Sequence, residues 1–465
     1  MCIRDRRTTG SIPNTQSTDL PDYYISNRFK MIQRFRGKHL VTFESRNEWE
    51  SLPQSLSVDI NGNPYRQHIG DHAFHTHESA AYAFSLKGIT VSLEGGIKGY
   101  WRSMDSELSR NMDNRPEELP GMTENVIHTN SFTVYATPKL EYWVRRVDII
   151  LSIPVSYAHY SFDKAIANHD EAYFSPSLSF NWKPNNRFSG AIRGGTGRSP
   201  MNLNLIHPGL IMTDYRTLKS GVDNFYNSSS QNLSASFSYK HTRHGIFANG
   251  MVMHSWSHLP YTLAQQLYGD YVVYSYSDAD NDGKSLLAIG SLGKTLDFMH
   301  GSCNINGSFN RNESRLLSQQ QSVRSVGTSW SVGGKINGSP WRWLSFDYAI
   351  DFSSSRLTMN GASAPWLSSM TNELSLNFIP HHKWQWQIGG EHYRNELTGG
   401  TYKSILMLDT KMIFKPSKRI ELSASLTNIL DKKQYNYTTY SQLSSFESQR
   451  SLRGRQLLLS IALRK

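Results

Sequence analysis

Long apolar runs are missing from this chain of 465 residues. Nowhere do about 18 apolar residues follow one another, as a membrane-crossing helix requires, and the mean hydropathy is −0.51. A membrane-spanning barrel survives that exclusion, because its strands alternate and each gives only a weak hydropathy signal. Cysteine is almost absent. Cys2 and Cys303 lie far apart, with Cys303 inside a predicted strand, so no disulfide is expected and no spacing suits zinc. The first residues, Met1 to Arg6, lack an apolar core and are no signal peptide. They read as adapter or translated non-coding sequence, and the chain is expected to be a fragment.

Catalytic constellations are also lacking. No Ser/His/Asp arrangement, G-x-S-x-G elbow or carboxylate pair stands out, so no enzyme is expected and no catalytic residue is named. Gly194 to Ser199 lacks the lysine and the following helix of a phosphate loop and is discarded. The net charge is +11, yet Lys and Arg are scattered rather than gathered in a dense run with interleaved aromatics. Nucleic acid is therefore not expected as a partner, and the excess reads as solvated loops and a polar lumen, with acidic lipid headgroups or acidic ligands second.

What is present is a β-rich composition. Aromatics make up 12 %, with Tyr 24 and Trp 11, and no helical period is sustained. Hairpins recur along the chain. Ala80 to Leu86 and Ile89 to Ile97 meet at Lys87-Gly88; Tyr173 to Trp182 and Phe188 to Gly195 meet at Lys183 to Asn186. Val326 to Ile336 and Trp343 to Phe352 meet at Asn337 to Pro340; Asn372 to Phe378 and Trp384 to Glu391 meet at Pro380 to His382. Short turns alternate with long polar connections, the longest being Ser199 to Asn232, Ser257 to Gly283 and Asp431 to Ser448. That asymmetry predicts an antiparallel transmembrane β-barrel with short periplasmic turns and long extracellular loops. Trp143, Trp182, Trp341, Trp343, Trp384 and Trp386 all lie near short turns, as an aromatic girdle at headgroup depth would. Residues 1–22 are expected to be a non-native start and loop, and residues 23–465 the barrel. About 19 strands are counted, against about 22 in plugged outer-membrane transporters.

The C-terminal stretch carries a resemblance. Ile420, Leu422, Ala424 and Leu426 alternate with polar residues, and Leu457, Leu459, Ile461 and Leu463 share one register of a last strand. Ser423-Ala424-Ser425-Leu426-Thr427-Asn428-Ile429-Leu430-Asp431-Lys432-Lys433-Gln434-Tyr435 resembles the "LTNLFDKKY" segment of TonB-dependent outer-membrane receptors. Leu452 to Ile461 is similar to their closing strand. The chain ends Leu463-Arg464-Lys465, where family members usually end in an aromatic residue read by the barrel-assembly machinery. The resemblance implies an incomplete 22-strand barrel in the outer membrane of a Gram-negative bacterium, lacking its plug. It implies energy-coupled uptake of a ligand caught by extracellular loops, with the TonB complex acting through the missing plug. Outer-membrane lipids and the barrel-assembly machinery are the other implied partners. A passive porin or structural barrel is the alternative, and a barrel enzyme such as a lipase or protease the third reading.

Two stretches hold metal-ligand residue types. Asp278, Asp280 and Asp282, followed by Gly283, match the first half of a calcium loop, but Ile289 stands where the bidentate Glu belongs. An acidic turn is the first reading and Ca2+ the second. His75 and His77 would share a face of an extended segment and could share a metal. No other cofactor is expected, and the ligand-binding residues and the ligand are left open.

Overall fold

The computed structural model describes residues 14–35, 38–60, 63–110, 123–163, 166–268, 271–397, 400–417, 419–440 and 445–463. Nearly all of them belong to one sheet. Its wall follows chain order: Tyr23–Phe35, His39–Ser51, Asn63–Leu86, Ile89–Arg110, Glu124–Val144, then two strands each broken in the middle. The broken strands are Val147–Ser152 with Val155–Phe162, and His169–Phe174 with Ser177–Trp182. Phe188–Pro200, Asn227–His241, Ile246–Leu259, Asn281–Leu296, Gly301–Ser318, Gln321–Trp341 and Leu344–Met359 continue it. Leu367–His381, Trp384–Leu397, Thr401–Ser417, Ile420–Thr427 and Gln456–Leu463 complete it. With each broken strand taken once, these are nineteen wall strands, every neighbouring pair antiparallel. The sheet curls, since the Tyr271 hydroxyl, in a segment beyond the tenth wall strand, donates to that of Tyr65 in the third at 2.8 Å.

The alternation of residue types decides the faces. Val91, Leu93, Phe132, Val134, Ile192, Leu233, Val252, Ile305, Val332 and Leu374 are large, apolar and exposed on the outer face. A row of this kind around a sheet is what a lipid-facing wall requires, with the polar residues between them turned to the lumen. Short turns close one end. Lys87 (φ 46°) and Gly88 (φ 87°) both take the left-handed region that a two-residue hairpin turn needs. The plan is that of a transmembrane β-barrel wall.

Proline marks the irregularities. Register shifts fall between Gly338 and Trp341, Phe378 and His381, and Phe414 and Ser417. Pro340, Pro380 and Pro416 lie inside them, where a missing N–H costs no ladder bond. The first of these turns consequently sits at Arg342-Trp343, beyond the expected Asn337–Pro340, while the second, at His382-Lys383, overlaps the expected Pro380–His382. Pro154 and Pro176 break the two divided strands in the same way.

Three expectations are corrected. Residues 10–22 do not form only a loop, because Asn14–Asp19 is a strand paired with Gln54–Ile60. The described residues of the polar segments 47–76 and 103–128 are mostly strand. Asn63–Leu86 runs for 24 residues, about 80 Å, where about 10 residues suffice to cross a bilayer. Trp143 does not join the outer girdle: it lies between outward Tyr142 and Val144 and faces the lumenal mouth. Trp341, Trp343, Phe378 and Trp386 do form a run of rings 5.5 to 6.2 Å apart. The segment Asn114 to Glu118 and Cys2 lie outside the described residues, and Cys303 sits in Gly301–Ser318 with a free thiol.

Candidate functional site

Three neighbouring strands place a set of charged and aromatic side chains on one inner surface. His39–Ser51 supplies Arg46, Glu48 and Glu50; Asn63–Leu86 supplies Asp71, His75 and His77; Ile89–Arg110 supplies Lys98, Tyr100 and Arg102. Alternate residues of a strand face the same way, and the register sets His75 opposite Glu48 on one side and Tyr100 on the other. These residues line a cavity of about 700 Å3. Its far side is made by Tyr160, Tyr173 and Arg198.

The polar groups are ordered by pairing. Arg102 donates through Nε to Asp71 Oδ1 and through Nη2 to Asp71 Oδ2, both at 2.8 Å. Its side chain is 4 % exposed, and Nη1 has no hydrogen-bond partner. A guanidinium so buried depends on its carboxylate, since removing one partner of a buried pair leaves an uncompensated charge. Arg46 donates to Glu48 at 2.8 Å through Nε. Arg198 stands 3.7 Å from Glu171. Lys98 instead lies over the Tyr135 ring, 4.9 Å from its centre. The His75 and Tyr100 rings are 4.6 Å apart. The Tyr173 hydroxyl is 2.8 Å from Asn227 Oδ1 and 3.2 Å from the Tyr160 hydroxyl.

A folded segment roofs the cavity. Between Phe188–Pro200 and Asn227–His241 the chain makes a short helical turn, Leu203–Leu205, and two short strands, Ile211–Asp214 and Thr217–Lys219. The wall holds it by side chains. Tyr100 donates to Asn204 Oδ1 at 3.0 Å, the Gly209 amide to Asn125 Oδ1 at 2.7 Å, and the Met212 amide to Gln67 Oε1 at 3.0 Å. Two apolar clusters pack it down. Leu210, Met212 and Leu218 meet Leu56, Val58, Tyr65 and Leu108, while Met201, Ile206, Val222 and Phe225 meet Tyr160, Tyr173 and Tyr261. Thr217–Lys219 also pairs in parallel with Val272–Tyr274 of the next long connection. His207 lies within the roof, its Nδ1 accepting from the Gly221 amide at 3.1 Å. Burial holds its pKa below the usual histidine value, and the nearby Arg102 charge adds to the shift against a carbonyl contact from Gly209.

His75 and His77 share the inner face as their spacing requires, and both line the cavity. His77 Nε2 is 2.6 Å from the Tyr135 hydroxyl. Asp278, Asp280 and Asp282 lie elsewhere. Asp282 Oδ1 is 2.9 Å from His258 Nδ1, and Asp280 Oδ1 is 3.8 Å from His258 Nε2. Among the described residues no three His, Cys, Asp or Glu side chains gather as a metal site would need. The Asp71–Arg102 pair, the Tyr160–Tyr173 pair and the roof were missed by sequence reasoning. The stretch Asp71 to His77 did contain the signal: Asp71, Ala73, His75 and His77, at alternate positions, all reach the cavity.

No family model matches the chain, and no curated protein matches its sequence. Among solved structures it is similar to the copper transporter OprC, at 9 % identity and TM-score 0.39, over 97 % of this chain and 80 % of that one. It is similar to the ferric-catecholate import receptor Fiu of E. coli K12, at 10 % identity and TM-score 0.39, over 98 % and 82 %. It is also similar to the ferric yersiniabactin uptake receptor FyuA of Yersinia pestis, at 10 % identity and TM-score 0.38, over 97 % and 80 %.

Proposed function

We propose that the chain is the wall of an outer-membrane receptor that captures a small polar ligand in the roofed lumenal cavity. Uptake would be energy-coupled, as the C-terminal resemblance to TonB-dependent receptors implies, with the TonB complex acting through a plug. Outer-membrane lipids and the barrel-assembly machinery would be its other partners. The observation that carries the reading is the roof. A passive pore needs an open lumen, whereas here Met201 to Phe225 is packed over a cavity of about 700 Å3. That volume suits a small molecule, and a few placed polar groups among aromatic rings are what recognition sites use. The cavity's groups are ion pairs and ring contacts, which suit binding. The passive porin is the second reading.

The test is a small-ligand screen on refolded protein in micelles, followed by tryptophan fluorescence. Lys98 and Arg198 are the side chains to change, because neither is locked into a buried pair. A ligand of the cavity should bind the Lys98→Gln and Arg198→Gln variants about tenfold more weakly than the parent, the loss of one charged contact. Unchanged affinity in both variants for every ligand found would sink the reading. Free passage of small solutes through reconstituted vesicles would favour the porin.

A further inference from the structure

We propose that the short-turn end of the wall is a basic rim that binds the phosphate headgroups of anionic phospholipids in the leaflet it faces. The proposal rests on the membrane-barrel reading and adds a specific lipid contact to it. Its evidence is how charge is distributed along the wall. Lys87, Arg187, Arg243, Arg342, Lys383 and Arg419 belong to six different short turns. Every one of them is exposed. None lines the cavity at the lumenal mouth of that end. Among the described residues none of the six forms an ion pair. Carboxylates close by are already engaged: Asp347 with Lys335 at 3.0 Å and Glu421 with Lys415 at 3.6 Å. The turn at Asp297–Met299 is the exception, with an acid in place of a cation. At the opposite end acids and bases are mixed, as in the His258–Asp282 and Arg324–Glu313 contacts.

Depth supports the assignment. Arg342 lies between Trp341 and Trp343, and Lys383 immediately before Trp384. Those rings join the outer aromatic run, with Trp384 4.2 Å from Phe414. Indole rings settle at headgroup level, so the neighbouring cations stand where lipid phosphates are. An acidic protein would need cations gathered on one side. These six are instead spread along the wall from its fourth strand to its eighteenth, which fits a headgroup layer that surrounds a barrel. Attraction of Lys and Arg to such a layer is electrostatic and fades within a Debye length.

The experiment uses the full chain reconstituted in phosphatidylcholine vesicles that carry an equal mole fraction of brominated phosphatidylcholine or brominated phosphatidylglycerol. Tryptophan quenching reports which lipid lies against the belt. The expected result is a relative association of the anionic lipid about fivefold above the zwitterionic one, roughly what one well-placed cation supplies. Raising salt to about 1 M should erase it. The variant with all six residues changed to Gln should keep its quenching by brominated phosphatidylcholine and lose the preference. Equal quenching of the parent by both lipids overturns the rim proposal, as does an undiminished preference in the six-fold variant. Absence of quenching by either lipid overturns the membrane reading beneath it, a different and distinguishable failure.

Discussion

His207 shows how one residue ties the roof to pH. Its ring is half-buried in the segment, its Nδ1 accepts from the Gly221 amide, and the Arg102 charge lies near. Each condition favours the neutral ring, so its folded pKa lies below the ordinary 6.5. The sign follows from proton linkage: below the unfolded value the open segment binds more protons than the closed one. Closure is therefore fully stable above about pH 6.5 and weakens as pH falls below it. Hydrogen exchange of residues 201–226, corrected for intrinsic rates, should quicken between about pH 7.5 and about pH 5. His207→Gln should flatten that dependence, and a parent protein whose exchange is insensitive to pH would remove His207 from this role. Gly221 is fixed for a steric reason, because a Cβ there would stand 1.8 Å from the Leu205 carbonyl oxygen. Neither residue announces itself in the sequence, where residues 199–232 read as a long polar connection. The contacts that fold this segment run to Gln67, Tyr100 and Asn125, far off in the chain, and local pattern cannot report them.

At the scale of strands, the sequence was legible wherever one face meets lipid and the other the lumen. Phe346, Tyr348 and Ile350 face the same way as Leu374, Leu376 and Phe378, and the ladder sets Phe346 opposite Leu376 and Leu344 opposite Phe378. Leu422 and Leu426 pair with Ile461 and Leu457 on that face. Alternation made those strands visible. The same strands become illegible where they rise past the apolar band, because two wet faces leave no period of two to read. Asn63 to Thr76 and Ser103 to Arg110 are such extensions. The strand expected from Val326 likewise begins earlier: Gly301–Ser318 and Gln321–Trp341 run on to a tight turn at Gln319 and Gln320, both with positive φ. Leu376 tests the lipid face. It stands opposite Phe346 on one neighbour and Ile388 on the other. Leu376→Arg should cost about 2–4 kcal/mol of folding stability in lipid if the site lies near the midplane. Denaturant titration of protein refolded in vesicles would measure it, and an effect near zero would argue against hydrocarbon at this position.

For the whole molecule, the decisive feature is the two edges of the wall. Tyr23–Phe35 pairs with His39–Ser51 and Gln456–Leu463 with Ile420–Thr427, and among the described residues no ladder joins the two edge strands. Both are exposed over their described length. Leu457, Leu459 and Ile461 are 67 %, 71 % and 73 % exposed, against 37 % for Leu422 beside them. Direct closure also meets a topological difficulty. With nineteen wall strands, an odd number, both edges run toward the short-turn end, so pairing them would make a parallel ladder in an otherwise antiparallel wall. An open seam leaves backbone N–H and C=O groups facing hydrocarbon, at several kcal/mol for each unsatisfied group. Residues 1–465 alone should therefore refold to a species that SDS dissociates without heating, and gel mobility should not change on boiling. In a Cys2→Ser, Cys303→Ser background, Ile32→Cys and Leu459→Cys placed on the facing edges should fail to form a disulfide on mild oxidation. A compact, SDS-resistant, heat-modifiable band together with rapid cross-linking would mean that the edges do close on each other, and the seam argument would be wrong.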